Sequence, residues 1–219
     1  MTITMLKKAE ISGTKSIVAT PHFMRGRFDV EYSEVLKRVE ELKKVAADNN
    51  IDINIYAGQE VYYSSNLMEY FNDKCIGTIN GSRYMLIELP MLEFNLDEVI
   101  DTIYELQIRK IVPIIAHPER YSYVKEDITF VKELKDMGAL FQSNYGSAIG
   151  MYGIETKRTL KKLLKNDWIS FLGSDVHRAG QVYPEIPRII KKLGKWISSE
   201  KLEELTTLNA QKVLNNEFI

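Results

Sequence analysis

Histidine and carboxylate side chains stand at the ends of several short apolar segments, in positions that could bind divalent metal ions. All three histidines of the chain are among them. Imidazole and carboxylate groups suit Zn, Mn or Fe, and the absence of thiolates separates them from the cysteine-rich ligand sets of structural zinc sites. The candidate metal ligands are His22, Glu60, Glu88, His117, Asp175 and His177.

Three imidazoles and three carboxylates exceed the ligand set of a single tetrahedral ion. We therefore expect two or more ions that share a carboxylate, with metal-activated water as the nucleophile against a phosphoryl group. Guanidinium groups are planar donors that match phosphate oxygens, and Asn144 could also donate a hydrogen bond to a substrate. The candidate phosphate-binding arginines are Arg25, Arg27, Arg120 and Arg178. This chemistry needs no cysteine nucleophile, and Cys75 lies outside any Cys-x5-Arg loop.

Short apolar segments precede the candidate ligands, and helical patterns separate these segments. The segments are rich in β-branched residues and lack polar alternation, which is typical of buried parallel strands. Candidate ligands recur at intervals of roughly 30 residues, the length of one strand-helix unit. We predict strands at residues 16–20, 53–59, 84–87, 111–116, 139–144 and 168–172. Since parallel strands joined by helices end on the same side, the candidate ligands should converge on one rim.

Composition and charge limit the classes of function. The 219 residues include 29 basic and 30 acidic side chains, and this balance lacks the signature of nucleic-acid binding. Cys75 is the only cysteine, which excludes an internal disulfide and agrees with a reducing compartment. No apolar segment approaches the roughly 20 residues that cross a bilayer, and no signal-peptide core is recognisable. We therefore predict one α/β domain over residues 1–219, cytoplasmic and without membrane insertion.

Each candidate residue also has a structural interpretation. A histidine such as His22 often makes only a structural hydrogen bond, and carboxylates at strand ends often form ion pairs. Asp175 could cap a helix, and Arg25 and Arg27 could belong to a solvated loop. Independent structural roles do not explain why all six candidate ligands stand at equivalent places.

Five ordered motifs resemble successive signature blocks of the PHP (polymerase and histidinol phosphatase) superfamily. They are Ala19-Thr-Pro-His22, Gly58-Gln-Glu60, Ile87-Glu-Leu-Pro90, Ala116-His-Pro-Glu-Arg120 and Gly173-Ser-Asp-Val-His177. Within the superfamily, the chain is most similar to the capsule and exopolysaccharide-associated protein-tyrosine phosphatases of Gram-positive bacteria. The similarity runs in register from about Met5 to Asn215.

The resemblance implies a distorted, TIM-like βα barrel of the PHP type with a trinuclear centre, most often of manganese or iron, with zinc as a further option. It implies the same six residues as metal ligands, and Arg120 as a phosphate-binding residue. The implied reaction is hydrolysis of phosphotyrosine on a partner tyrosine kinase that controls polysaccharide synthesis and export. The resemblance does not fix an oligomeric state.

Two departures from the family pattern lead to further expectations. Family members begin with a strand that carries Asp-x-His-x-His, and this sequence shows no such motif, so we expect a barrel that lacks its first strand and two histidine ligands. Relatives also place an Arg-Pro pair several residues after the position of His177. Here the sequence is Arg178-Ala-Gly-Gln-Val-Tyr-Pro184, and Arg178 is the candidate substitute.

Three functions are compatible with these observations. The first is a metal-dependent protein-tyrosine phosphatase. The second is a degenerate PHP-fold protein with a partial metal site that acts as a binding module. The third is a phosphatase of a small phosphate ester such as histidinol phosphate.

Overall fold

Eight short strands form two parallel sheets in the computed structural model, which describes residues 2–92, 95–178 and 180–219. β1 pairs with β3, and the second sheet has the order β2-β4-β5-β6-β7-β8. The strands are β1 (Ser16–Ala19), β2 (His22–Phe23), β3 (Asn54–Ala57), β4 (Glu60–Tyr62), β5 (Tyr84–Glu88), β6 (Val112–Ala116), β7 (Leu140–Asn144) and β8 (Phe171–Gly173). The predicted parallel α/β class is confirmed.

Helices connect the strands and cover the sheets. They are α1 (Thr2–Ile11), α2 (Tyr32–Asp48), α3 (Leu67–Asn72), α4 (Leu96–Ile108), α5 (Ser122–Glu126), α6 (Thr129–Asp136), α7 (Tyr145–Ile149), α8 (Ile154–Lys165), α9 (Ile186–Leu193), α10 (Ser199–Glu203) and α11 (Asn209–Leu214). Single 3-10 turns form at Ile79–Gly81, Pro118–Arg120 and Tyr183–Glu185, and a π-turn at Glu204–Leu208 joins the last two helices. Within the described ranges, no helix combines the length and apolarity needed to span a membrane.

Two strands that the sequence predicts as continuous are each divided in the structure. The segment 16–20 ends at Ala19 and resumes as β2 after Pro21, which has no backbone N–H for a strand ladder. The segment 53–59 is interrupted beside it at Gly58, where a Cβ atom would lie 2.9 Å from the Val18 side chain. Since both breaks fall at the same level, pairing resumes with His22 opposite Glu60.

The order of the main sheet follows the order of its strands in sequence, as expected for a βα barrel. β2 and β8 are its two ends, and the described residues form no strand pairing between them that would close a barrel. The hydrogen bonds between strands therefore establish a parallel sheet but not a closed barrel.

Both faces of the main sheet are buried, which explains why its strands lack polar alternation. Along β5, Met85 and Ile87 belong to the large core beneath α4, α6, α8 and α9, whereas Tyr84 and Leu86 belong to a smaller core beside α11. A third core lies between α1, α2 and the sheet of β1 and β3. Burial on both faces fixes the strands and thereby the positions of their ends.

Tyr121 links the ends of two central strands. Its buried hydroxyl donates to the Ala116 carbonyl at 2.7 Å and accepts from the Leu89 N–H at 2.9 Å. We predict that Tyr121→Phe lowers the free energy of unfolding by about 1–3 kcal/mol, because the Leu89 N–H loses its partner in a buried environment. Urea denaturation measures this loss. Tyr104→Phe, at a side chain that is 62% exposed, is the control and should change the free energy by less than about 0.5 kcal/mol.

Candidate metal centre

Four of the predicted ligands converge at one end of the main sheet. His22 and Glu60 begin β2 and β4, Glu88 ends β5, and His117 follows β6. The Nε2 atom of His117 lies 3.2 Å from Glu60 Oε1 and 3.3 Å from Glu88 Oε1. His22 Nδ1 lies 3.7 Å from Glu88 Oε2. One ligand atom each from His22, Glu60 and Glu88 falls within 4.8 Å of the others, which is close enough to share a cation.

Asp175 and His177 join this group from the loop that follows β8. His177 Nε2 lies 3.2 Å from His22 Nε2, and His177 Nδ1 lies 3.4 Å from Asp175 Oδ1. Asp175 Oδ2 accepts hydrogen bonds from Arg120 at 3.0 Å and from the Asn144 amide at 2.7 Å. The six predicted ligands therefore form one connected group, which we call the candidate metal centre.

The backbone at two of these residues is in the left-handed region that side chains seldom adopt. His117 has φ 35° and ψ 54°, and Asp175 has φ 46°. A non-glycine residue in such a conformation costs on the order of 1–3 kcal/mol and persists only where surrounding contacts enforce it. At His117 one such contact is a short bond from its backbone N–H to the Gln142 carbonyl, at 2.6 Å.

The donor set of the candidate metal centre fits a divalent cation. Glu60 and His117 are buried, and Glu88 is largely buried, so two carboxylates face one imidazole away from water. Burial lowers the pKa of His117, but hydrogen bonds to Glu60 and Glu88 outweigh it and raise that pKa to about 9. Burial raises the pKa of Glu88, but the bond to His117 and its charge outweigh burial and lower it. A positive charge is therefore favoured between the carboxylates, and a divalent ion supplies it there.

The predicted phosphate-binding arginines lie in different surroundings. Arg120 contacts Asp175 and lies over the Tyr152 ring at 4.8 Å. Arg27 lies over the Phe28 ring, whose centre is 5.6 Å from the centre of the His22 ring at a tilt of 32°.

Two of these arginines are not brought to the candidate metal centre within the described residues. The Arg25 guanidinium donates to Cys75 Sγ at 3.3 Å and lies over the Phe23 and Tyr70 rings. Arg178 is exposed, and its backbone N–H donates to the Gln181 side chain. Arg120 is thus the arginine that contacts the predicted ligands directly.

Comparison with known proteins places the chain in a family. The family model described as Capsular polysaccharide synthesis, CpsB/CapC, matches residues 1–215. The chain belongs to this family. The resemblance inferred from the five motifs is thereby confirmed.

The CpsB/CapC relatives include proteins named as tyrosine phosphatases. A putative tyrosine-protein phosphatase CapC from Staphylococcus aureus is 33% identical, over 99% of this chain and 84% of the relative. The tyrosine-protein phosphatase YwqE from Bacillus subtilis is 28% identical, over 99% of this chain and 85% of the relative. A solved structure from work on YwqE of Bacillus subtilis and CpsB of Streptococcus pneumoniae, described as metal-dependent tyrosine phosphatases, matches with a TM-score of 0.93 and 28% identity. That match covers 99% of this chain and 87% of the other.

Sequence reasoning missed Glu119, a buried carboxylate that organises one side of this CpsB/CapC site. Its Oε1 atom accepts from the Asn144 backbone N–H at 2.8 Å and from the Ser147 hydroxyl at 2.7 Å. Glu119 therefore fixes the turn from β7 into α7. This turn carries the Asn144 side-chain amide, which donates a hydrogen bond to Asp175. The available signal was an acidic residue inside the His-Pro-Glu-Arg motif, beside residues already selected.

We predict that Glu119→Ala lowers the free energy of unfolding by on the order of 3 kcal/mol, because two buried donors lose their acceptor. Thermal and urea unfolding of the variant measure the loss. Glu133→Ala, on the exposed side of α6, is the matched control and should shift the free energy by less than about 0.5 kcal/mol. Equal stabilities for the two variants would contradict the role given to Glu119.

The raised pKa of His117 predicts how the stability of chelator-treated protein depends on pH. The folded value of about 9 exceeds the unfolded value of 6.5, so the folded state binds this proton more tightly. The stabilisation is complete below pH 6.5 and is lost as the pH rises through 9. We expect the melting temperature to fall over this window, and His117→Asn should lack that component. Superimposable profiles for the two proteins would show that His117 is not the titrating group.

Proposed function

We propose that this CpsB/CapC member is a protein-tyrosine phosphatase that hydrolyses phosphotyrosine with the help of divalent metal ions. The single observation that carries the proposal is the assembly of six imidazole and carboxylate side chains into one group beside Arg120. The named activity of relatives that match almost the whole chain supports the same reaction. Membership of a capsular polysaccharide synthesis family supports a role in that process.

The proposed metal ligands are those of the candidate metal centre. We propose two or three ions, with manganese or iron ahead of zinc, since six nitrogen and oxygen donors exceed the needs of one tetrahedral ion. Divalent ions in such a site lower the pKa of water and neutralise charge on phosphoryl oxygens. His22, His117 and His177 would hold the ions through imidazole nitrogens, and a cation at His117 would take the place of the proton that this side chain holds.

Arg120 is the proposed phosphate-binding residue. Its bond to Asp175 fixes one edge of the guanidinium, and the remaining N–H groups match the oxygens of a phosphoryl group. The Tyr152 ring beneath the guanidinium restricts its movement further. Asn144 positions Asp175 from the other side and completes this part of the proposed substrate site.

The three other predicted arginines have weaker support. Arg27 lies near His22 through Phe28 and is a proposed contact for a protein substrate. Arg178 follows His177 on an exposed loop and is a proposed secondary phosphate contact. Arg25 is occupied by Cys75 and two aromatic rings, so its part in substrate binding is the least supported of the set.

Several wider features complete the proposal. The partner is a phosphorylated bacterial tyrosine kinase in the cytoplasm, and the domain spans residues 1–219.

We also propose that the main sheet curves toward a distorted barrel. The supporting contact is the 3.2 Å approach of His22 to His177, which joins residues from the two ends of the strand order.

Hydrolysis of a phosphotyrosine peptide in the presence of manganese tests the proposal. We expect activity that a chelator removes, a loss in kcat of about 100-fold for His22→Ala, and a loss in kcat/KM of roughly 100-fold for Arg120→Ala. Arg178→Ala should lose less than Arg120→Ala, because the Arg120 guanidinium bonds Asp175 of the candidate metal centre. Arg38→Ala, paired with Glu34 on the outside of α2, is the control and should keep wild-type rates.

Two outcomes would replace this function with its alternatives. A folded, metal-loaded protein that hydrolyses no phosphate ester would instead be a binding module. Faster turnover of histidinol phosphate than of phosphotyrosine peptides would identify a phosphatase of small esters.

A further inference from the structure

A basic groove lies on the helical side of the molecule, where α7, α8 and α9 meet. It encloses about 260 Å³. Two of its lining residues are the apolar Ala148 and Ile149 of α7, and the other five are cationic. The lining residues are Ala148, Ile149, Lys157, Arg188, Lys191, Lys192 and Lys195.

The positive charge of this basic groove is largely uncompensated. Arg188 pairs with Glu185 at 3.0 Å, but none of the four lysines has a carboxylate partner within the described ranges. Lys192 also lies 5.6 Å from the centre of the Trp196 ring, which Lys161 approaches at 5.8 Å. Clustered like charges repel one another unless an anion lies between them. The chain as a whole has a formal net charge of -1, so the excess is local.

The shape of the groove and its apolar surroundings indicate the kind of anion. A surface that binds a flat bilayer presents projecting cations and apolar side chains, whereas here the cations line a concave groove. Met151 and Ile154, which are 42% and 58% exposed, lie on the chain between α7 and Lys157. An extended acidic peptide that carries apolar side chains matches both the cationic lining and the apolar Ala148 and Ile149.

The groove also lies close to the candidate metal centre. α7 is 5 residues long and begins directly after Asn144, whose side chain bonds Asp175. The rise along five helical residues is roughly 7.5 Å, which two or three residues of extended chain would span. A peptide in the groove could therefore continue to the site without a long linker.

We infer that the basic groove binds an acidic segment of the phosphoprotein substrate, next to the phosphotyrosine itself. This inference rests on the proposed function for its catalytic consequence, but binding in the groove does not require catalysis. Long-range attraction by the clustered charges would also speed association, and salt would weaken it.

Direct binding is the first test. The probe is an unphosphorylated glutamate-rich peptide with apolar residues, and the signal is Trp196 fluorescence in a Trp168→Phe background. We expect saturable binding that salt weakens, and an affinity at least tenfold lower in Lys191→Glu/Lys195→Glu. The control is Lys37→Glu/Lys44→Glu, which makes the same charge change on exposed positions of α2. Equal affinity for both double variants would overturn the inference, as would preferential binding of anionic phosphatidylglycerol vesicles.

Catalysis is the second test. For an acidic phosphotyrosine peptide, kcat/KM should fall about tenfold in Lys191→Glu/Lys195→Glu, with an unchanged rate on a small aryl phosphate. A peptide rate as high as that of the control variant would overturn the inference. If no variant hydrolyses any ester while the glutamate-rich peptide still binds through Lys191 and Lys195, the proposed function fails and the binding site stands.

Discussion

The interaction on which the site depends is the contact of one buried imidazole, His117, with the carboxylates of Glu60 and Glu88. Two anions away from water are costly, and a cation between them removes most of that cost. In the absence of metal, a proton on His117 supplies this positive charge, which explains why the pKa of His117 is raised to about 9. The same arrangement fits a divalent ion. Electrostatics that would weaken an ordinary core thus prepare this end of the sheet for a metal.

Much of the surrounding structure keeps these three groups in place. Pairing of β2 with β4 brings His22 opposite Glu60, and burial of both sheet faces fixes β5 and β6. Tyr121 ties the ends of those central strands together. On the far side, Glu119 holds the turn that carries Asn144. Hydrogen bonds between strand ends and loops therefore provide a rigid frame, as a site with several ligands requires.

The parts of the fold that could be predicted follow from local patterns. Apolar segments indicate parallel strands, and since such strands end on one side, the convergence of the six candidate ligands could be predicted before their contacts were known. The divided strands at Pro21 and Gly58 depend on a close approach between neighbouring strands. No single segment of the sequence encodes this approach. Glu119 is similar, because the two groups that donate hydrogen bonds to it come from residues more than twenty positions away. The contacts of the arginines were the least predictable, since the partners of long, flexible side chains depend on the tertiary structure around them.

The left-handed conformations of His117 and Asp175 have a consequence for how this sequence can change over time. Glycine would adopt either conformation without strain, but it would remove a proposed ligand and the side-chain contacts that hold the buried carboxylates and Arg120. Relief of backbone strain and retention of these side-chain contacts therefore oppose each other at the two positions. Among descendants of this chain, a glycine at either position would indicate a lineage in which the proposed ligand is no longer required.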